Sequence, residues 1–208
     1  MSAHDGLLAD PAGVVRCHWC GTDPLYVDYH DREWGRPVHD NDRLFEKICL
    51  EGFQSGLAWI TVLRKRDNFR AAFRGFGIEA VAAMGDRDVT RLLDDAGIIR
   101  HRGKIEATIN NARCAAGMLE AGMDLADHIW SFAPRADLGR EGTDWPVTTS
   151  PSAVALSKDL KRRGWRFVGP TTIYSFMQSM GLVNDHFAGC HVIDECETAR
   201  KAVLSRAD

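Results

Sequence analysis

Apolar residues recur along this chain at helical spacing almost from end to end. Asp23-Pro24 sets an N-capping acid before a proline in the first turn. The helix it opens carries Leu25, Tyr26, Tyr29 and His30 and stops by Gly35-Arg36-Pro37. A stronger amphipathic element begins near Asn41, with Leu44, Phe45, Ile48 and Cys49 on one face, and runs to about Gly56. Further helices are expected from Trp59, around Asn68 to Phe73, over 78–84, and over 86–96 between Asp86 and Gly97. Ile105, Ile109, Ala112 and Leu119 mark a long helix over 103–120, followed by one over about 124–132. Ser150-Pro151 opens a helix ending at Gly164, Pro170 opens another running to Gly181, and 192–205 reads as a weak final helix.

Alternating strand patterns are almost absent, so the expected fold is all-α, built of short helices and tight turns. It suits two helical lobes, one from the middle of the chain and one from its two ends. Residues 1–15 read as a loose tail, 16–190 as the helical domain, and 191–208 as a C-terminal extension. Residues 133–149 read as the longest loop.

The 208 residues are 45% hydrophobic and 26% charged, an ordinary globular balance, and the formal net charge is -3. A uniformly basic nucleic-acid binder is thereby excluded, though local basic patches are not. No apolar run is long enough to span a bilayer, so no membrane partner is expected. The opening residues lack a basic segment followed by an apolar one, so export is not expected and a cytoplasmic location is. In a reducing compartment, the six cysteines suit metal binding or reactive thiols better than disulfides.

Cys17, Cys20, Cys190 and Cys196 lie near the two ends, with most of the histidines. His186 and Cys190 are four apart, so on a helical turn both ligand atoms reach one ion. Cys17 and His30 are thirteen apart and can meet across a loop. The four make a Cys2His2 set that suits tetrahedral zinc and would clip the two ends together. The spacing is not a zinc-finger signature, and scattered surface histidines with buried cysteines remain the competing reading. Cys17-His18-Trp19-Cys20 could instead supply both thiolates or act as a redox pair, and His191 and Cys196 are spare candidates.

Trp19, Tyr26, Tyr29, Trp34 and Trp59 crowd the first sixty residues, and Glu51 interrupts the apolar stretch from Ile48 to Phe53. Aromatic walls with one acceptor carboxylate suit a flat, cationic ring such as an alkylated purine. On composition alone, core aromatics and a solvated Glu51 are the better reading. Glu51 and Trp59, eight apart, would sit about 12 Å apart along one helix. They share a pocket only if the chain turns, and Gly56 is the place for it.

Three basic clusters interrupt the acidic chain: Arg64-Lys65-Arg66, Arg100 to Lys104, and Lys161-Arg162-Arg163 with Arg166. The last leads into Gly169-Pro170, a helix-hairpin-helix pattern whose backbone N–H groups can hold a phosphate. Each cluster alone also reads as a solvated helix end.

Four segments carry a resemblance covering about residues 16–190: DPLYVDYHDREWG (23–35), LFEKICLEGFQSGLAWITVLRKR (44–66), DAGIIRHRGKIEATINNAR (95–113) and FVGPTTIYSFMQSMGLVNDHFAGC (167–190). The chain resembles the 3-methyladenine DNA glycosylase I family. The resemblance implies a helix-hairpin-helix glycosylase fold and a structural Zn2+ on Cys17, His30, His186 and Cys190. His18 and Cys20 depart from the family's usual residues, which leaves Cys20 as a competing thiolate. The resemblance also implies that Glu51 and Tyr29 read the base, that Trp59 stacks on it, and that Trp19 and Tyr26 line the pocket. Val168, Gly169, Pro170, Thr171 and Thr172 would form the hairpin on the DNA backbone, with Arg163 and Arg166 beside it. Asp185 lies near the place where many relatives of this fold carry a catalytic aspartate, but this family is thought not to use one.

The expected activity is hydrolysis of the N-glycosidic bond of N3-methyladenine flipped from alkylated double-stranded DNA, by a monofunctional monomer that releases free 3-methyladenine. The alternatives are a lesion-recognition protein that binds without cleaving, and a zinc-dependent hydrolase of small molecules with an open metal position.

Overall fold

The computed structural model describes residues 6–135 and 147–205. The middle of the loop expected over 133–149 lies outside the described residues, as do the first residues of the expected tail. Eleven α-helices are described: α1 (Pro24–Arg32), α2 (Asn41–Gln54), α3 (Trp59–Leu63), α4 (Arg66–Ala72), α5 (Ile78–Ala82), α6 (Asp86–Asp94), α7 (Arg102–Glu120), α8 (Leu125–Trp130), α9 (Pro151–Arg162), α10 (Pro170–Ser179) and α11 (Ile193–Leu204). Among the described residues, none of the helices is long and apolar enough to cross a membrane.

Capping explains most of the starts. Asp23, Asp40, Asp124 and Ser150 each accept from backbone N–H groups of the first turn, and proline follows two of them directly. At α6 the expected acid is displaced: Gly85 is the cap, and the Asp88 carboxylate reaches back to its N–H at 3.1 Å. His101 caps α7, its Nδ1 accepting from Lys104 N at 3.2 Å.

The expected loose tail is partly structured. β1 (Leu7–Ala9) and β2 (Val15–Cys17) pair antiparallel, with Leu7 opposite Cys17 and Ala9 opposite Val15. Three-residue strands are too short to show an alternating pattern, which is why the sequence did not reveal them.

The chain divides into two compact units, one from its ends (1–38, 133–148, 177–208) and one from its middle (39–132, 149–176). The middle unit is built around phenylalanines. Phe53 and Phe69 lie 4.6 Å apart and Phe73 and Phe76 5.4 Å apart, and α7 packs along α5, α2 and α6. Each of these rings is fully buried, where close contacts replace water. In the end-built unit, α11 docks through Arg200, which is buried and donates to the carbonyls of Leu182 and Pro134. Gly181, at φ +72, lies so close to Pro37 that a Cβ would fall 2.5 Å from its nitrogen, so glycine is required there.

The turn between α9 and α10 is held by side chains. The Asn111 amide accepts from Arg166 N at 2.8 Å and donates to Arg166 O at 2.9 Å. Asn110 donates to Gly164 O, and the Ser157 hydroxyl donates to Val168 O. These bonds hold Phe167 in the left-handed region at φ 56, a conformation unusual for a bulky residue. Asn111→Ala should remove two bonds and leave the part-buried backbone N–H and carbonyl of Arg166 without their side-chain partner. A loss of about 1–3 kcal/mol in urea-unfolding stability is expected, with the helical circular dichroism retained.

Candidate functional site

Within the end-built unit, four residues converge in the interior. The ligand atoms of Cys17, His30, His186 and Cys190 all lie within 4.8 Å of one another, and all four residues are buried. Cys17 arrives at the end of β2, His30 on the inner face of α1, and His186 and Cys190 on the turns before α11. Cys17 Sγ lies 3.5 Å from His186 Nδ1, and Cys190 Sγ lies 3.5 Å from both His186 Nδ1 and His30 Nε2. The outer ring nitrogens are also engaged. His30 Nδ1 meets Asp31 Oδ1 at 2.8 Å, and His186 Nε2 meets Trp34 O at 3.2 Å. Such outer bonds fix which nitrogen of an imidazole faces a metal. Gly35 permits the approach, since a Cβ there would lie 2.7 Å from His186 Nε2.

Asp31 gathers Arg16, His30 and His191 around one carboxylate. Burial opposes its ionisation, but the hydrogen bonds from Arg16, His191 and His30 outweigh it and hold Asp31 well below the usual carboxylate range. The Cys190 thiol is likewise pulled down, first by Cys17 and then by His186 and His30. Cys20 stands apart: its Sγ donates to Cys17 O at 3.1 Å, and burial pushes its thiol up to about 11. Cys196 Sγ touches the outer nitrogen of His186 at 3.6 Å, and burial also raises it to about 11. Neither belongs to the cluster of four; among the described residues the Cys17–His30–His186–Cys190 set could hold a metal ion and is buried throughout, while a second group, His30, Asp31 and His191, shares His30 with it and is partly exposed.

Trp19, on a short 3-10 turn after β2, is the centre of an aromatic group in the same unit. Its ring lies 5.1 Å from Tyr26, 6.5 Å from Tyr29, 4.9 Å from Trp34 and 5.3 Å from His30, all edge-on or tilted. Trp19 therefore packs both against the tyrosines of α1 and against a residue of the Cys/His cluster. Asp185, also in this unit, is buried and accepts from Gln178 Nε2 at 2.7 Å.

In the middle unit, Glu51 lies in a run of ten buried residues on α2, from Leu44 to Phe53. The expected turn follows: α2 ends at Gln54, Gly56 takes φ +82, and α3 begins at Trp59. Lys47, one helical turn before Glu51, completes the arrangement. Its Nζ is 3.0 Å from Glu51 Oε1 and 3.4 Å from the centre of the Trp59 ring. Lys47 and Glu51 are 5% and 4% exposed, so this is an interior ion pair capped by a cation–π contact. Burial pushes the Glu51 carboxyl up, and Lys47 pulls it partly back. Sequence reasoning missed Lys47. The signal was the i,i+4 spacing of an acid and a lysine in an otherwise apolar stretch.

The basic turns are less open than their sequence suggests. Lys104 is buried, and its Nζ donates to Phe53 O at 2.8 Å and Ser55 O at 2.7 Å, tying down the end of α2. Lys65 Nζ donates to the carbonyls of Ala96 and Gly97. Arg162 and Arg163 both bond Asp159, which also meets His128 Nε2 at 2.8 Å. Arg166 and Thr171 are exposed, and Gly169 and Thr172 partly so.

Comparison with known proteins adds to this geometry. A family profile described as methyladenine glycosylase matches residues 19–193. The chain belongs to the methyladenine glycosylase family. It is 55% identical over 180 residues to DNA-3-methyladenine glycosylase 1 of Escherichia coli K12, covering 85% of this chain and 96% of that protein. It is 48% identical over 180 residues to the DNA-3-methyladenine glycosylase of Haemophilus influenzae, covering 85% and 97%. Among solved structures, one describing 3-methyladenine recognition by 3-methyladenine DNA glycosylase I from Staphylococcus aureus aligns with a TM-score of 0.81. It has 36% identity and covers 86% of this chain and 96% of that one. In this member of the methyladenine glycosylase family, β1, Cys17 and most of α11 lie outside the matched residues.

Asp159 gives this family member a pH signature. Burial opposes its ionisation, but Arg163 and His128 hold its carboxyl below the usual range. A depressed carboxyl stabilises the fold above its unfolded value of about 4, and that stabilisation is lost as pH falls through the folded value. Melting temperature should therefore drop more steeply below pH 4 in the wild type than in Asp159→Asn. At pH 7 the variant should be less stable by about 1–3 kcal/mol.

Proposed function

We propose that this chain is a DNA-repair glycosylase that hydrolyses the N-glycosidic bond of N3-methyladenine in alkylated duplex DNA. The observation that carries the reading is that Glu51 and the face of Trp59 bind one ammonium group in the protein interior. A buried carboxylate beside an indole face is chemistry suited to a flat cation. N3-methylation makes adenine such a cation and already a good leaving group. The C1′–N9 bond breaks with its electron pair passing to the base. Water adds to C1′ and gives up a proton, leaving an abasic site and free 3-methyladenine. Little nucleophilic push is needed, so the protein works mainly by extruding, holding and selecting the base.

In this reading Glu51 accepts from the exocyclic amine and favours the cation. Guanine carries a carbonyl at that position, which would face carboxylate lone pairs. Trp59 stacks on the base, Tyr29 supplies a second hydrogen bond, and Trp19 and Tyr26 are aromatic walls. Gly169, Thr171 and Thr172 hold a phosphate at the hairpin, with Arg166 adding charge. Arg163 adds charge as well, from a position set by Asp159.

Cys17, His30, His186 and Cys190 would hold a structural zinc ion. Tetrahedral zinc, with bonds of about 2.3 Å to sulfur and 2.0–2.1 Å to nitrogen, separates its S and N ligands by about 3.5–3.6 Å. The three sulfur–nitrogen separations of 3.5 Å fit that geometry. Four protein ligands leave no open position, so the ion would supply a cross-link rather than an activated water.

Incubation with methylated DNA should release 3-methyladenine with little 7-methylguanine. Binding of the DNA by a folded sample with no released base would favour a lesion-recognition protein instead. Glu51→Gln should slow single-turnover excision roughly 10- to 100-fold, the loss of one charged hydrogen bond. Because burial raises the Glu51 carboxyl, the wild-type rate should fall on acidification at a pH above the ordinary carboxylate range, and the variant should lack that limb. Native mass spectrometry should find one zinc per chain. Chelation or Cys190→Ala should lower the melting temperature, and an unchanged value on metal loss would refute the cross-link.

A further inference from the structure

The glycosylase reading places a cationic base against Trp59 and Glu51, yet this chain already has a cation there. Lys47 Nζ sits 3.4 Å above the indole centre and 3.0 Å from the carboxylate, making both contacts assigned to the methylated base. All three residues belong to the middle unit, and Lys47 and Glu51 are almost completely buried. An ammonium and a base cannot occupy the same indole face and the same carboxylate oxygen. Lys47 has a four-carbon stem with several rotatable bonds, so it is the partner that can move.

We propose that Lys47 is a resident cation that any base must replace, so that it raises the threshold for entry to a level that a cationic base clears and a neutral base does not. The proposal rests on the glycosylase reading. Withdrawing the ammonium alone would strand a buried carboxylate, which is strongly unfavourable. A methylated adenine restores what is lost, since its ring covers the indole and its charge meets Glu51. Unmodified adenine has nearly the same shape and the same amine but brings no charge, so its exchange runs uphill. Shape separates the two bases by a single methyl group, a small handle for a pocket that must ignore the adenine of normal DNA. The charge of Glu51 supplies discrimination that shape does not. Lys47 thus sets the threshold for entry, and Glu51 and Trp59 set the preference for charge.

The test uses the full chain and two small probes, 3,9-dimethyladeninium as a fixed cation and neutral 9-methyladenine. The ε-methylene protons of Lys47 should be displaced from ordinary lysine positions by the Trp59 ring current. Saturation with the cation should return them to the ordinary lysine range, and the neutral probe at equal concentration should not. In Lys47→Met and Lys47→Gln, the dissociation constants of both probes should fall at least tenfold, with their ratio unchanged. A Lys47 signal that stays in place under saturating cation would overturn the proposal, as would unchanged affinities for both probes in a variant that keeps the wild-type melting profile. The NMR experiment uses wild-type protein and gives an answer even if both variants are unstable. Release of 3-methyladenine from methylated DNA is assayed alongside. Its absence refutes the glycosylase reading, whereas release without exchange refutes only the role of Lys47.

Discussion

Among the described residues, the buried acids and bases of the helices are met by partners, and much of the architecture follows from that constraint. A buried carboxylate or guanidinium left alone costs several kcal/mol, a large share of what any fold has to spare. Glu51 has Lys47, Glu46 has Arg70, Asp159 has two arginines and a histidine, and Asp31 has Arg16 with two histidines. Lys104 and Arg200 are met by backbone carbonyls at the ends of helices and turns. Each pairing fixes more than charge. Lys104 ties the end of α2 to the start of α7, Asp159 orients the arginines that close α9, and Asp31 orients the ring of His30. The positions that matter to the proposed chemistry are thus set by electrostatic necessity as much as by apolar packing.

The helices were legible because their signals are local. Asp23-Pro24 and Ser150-Pro151 mark starts in the sequence itself, and they cap helices in the structure. The β1–β2 pair was not legible, because its stability comes from pairing across a turn rather than from an apolar pattern of its own. The Cys/His cluster was visible as a set of candidates. The residues alone left the choice among the cysteines open; the resemblance named four ligands, and the coordinates set the Cys20 and Cys196 thiols outside that group.

The charged residues were the hardest to read. A lysine and a glutamate four apart usually belong to a solvated helix face, and α2 buries both because other helices cover its polar side. Lys65, Lys104, Arg162 and Arg163 looked like free cationic clusters, yet carbonyls and Asp159 engage each of them. Asn110 and Asn111 gave no signal at all, since an amide that grips a distant turn looks in sequence like any other polar helix residue. In each case the information lies in which residue comes to stand opposite, and a linear pattern does not contain it.

The Cys/His cluster joins positions 169 residues apart. A ribosome adding roughly 5–20 residues per second needs about 8–35 s to pass from the first of its four residues to the third. Until then Cys17 and His30 belong to a nascent chain with nothing to close upon. The end-built unit therefore closes only after the segment through His186 and Cys190 has emerged, whereas the α2–α7 core is available to fold earlier. Synthesis through residue 190 becomes a condition for closing the cluster, and a polypeptide released short of residue 186 would lack two of its four residues.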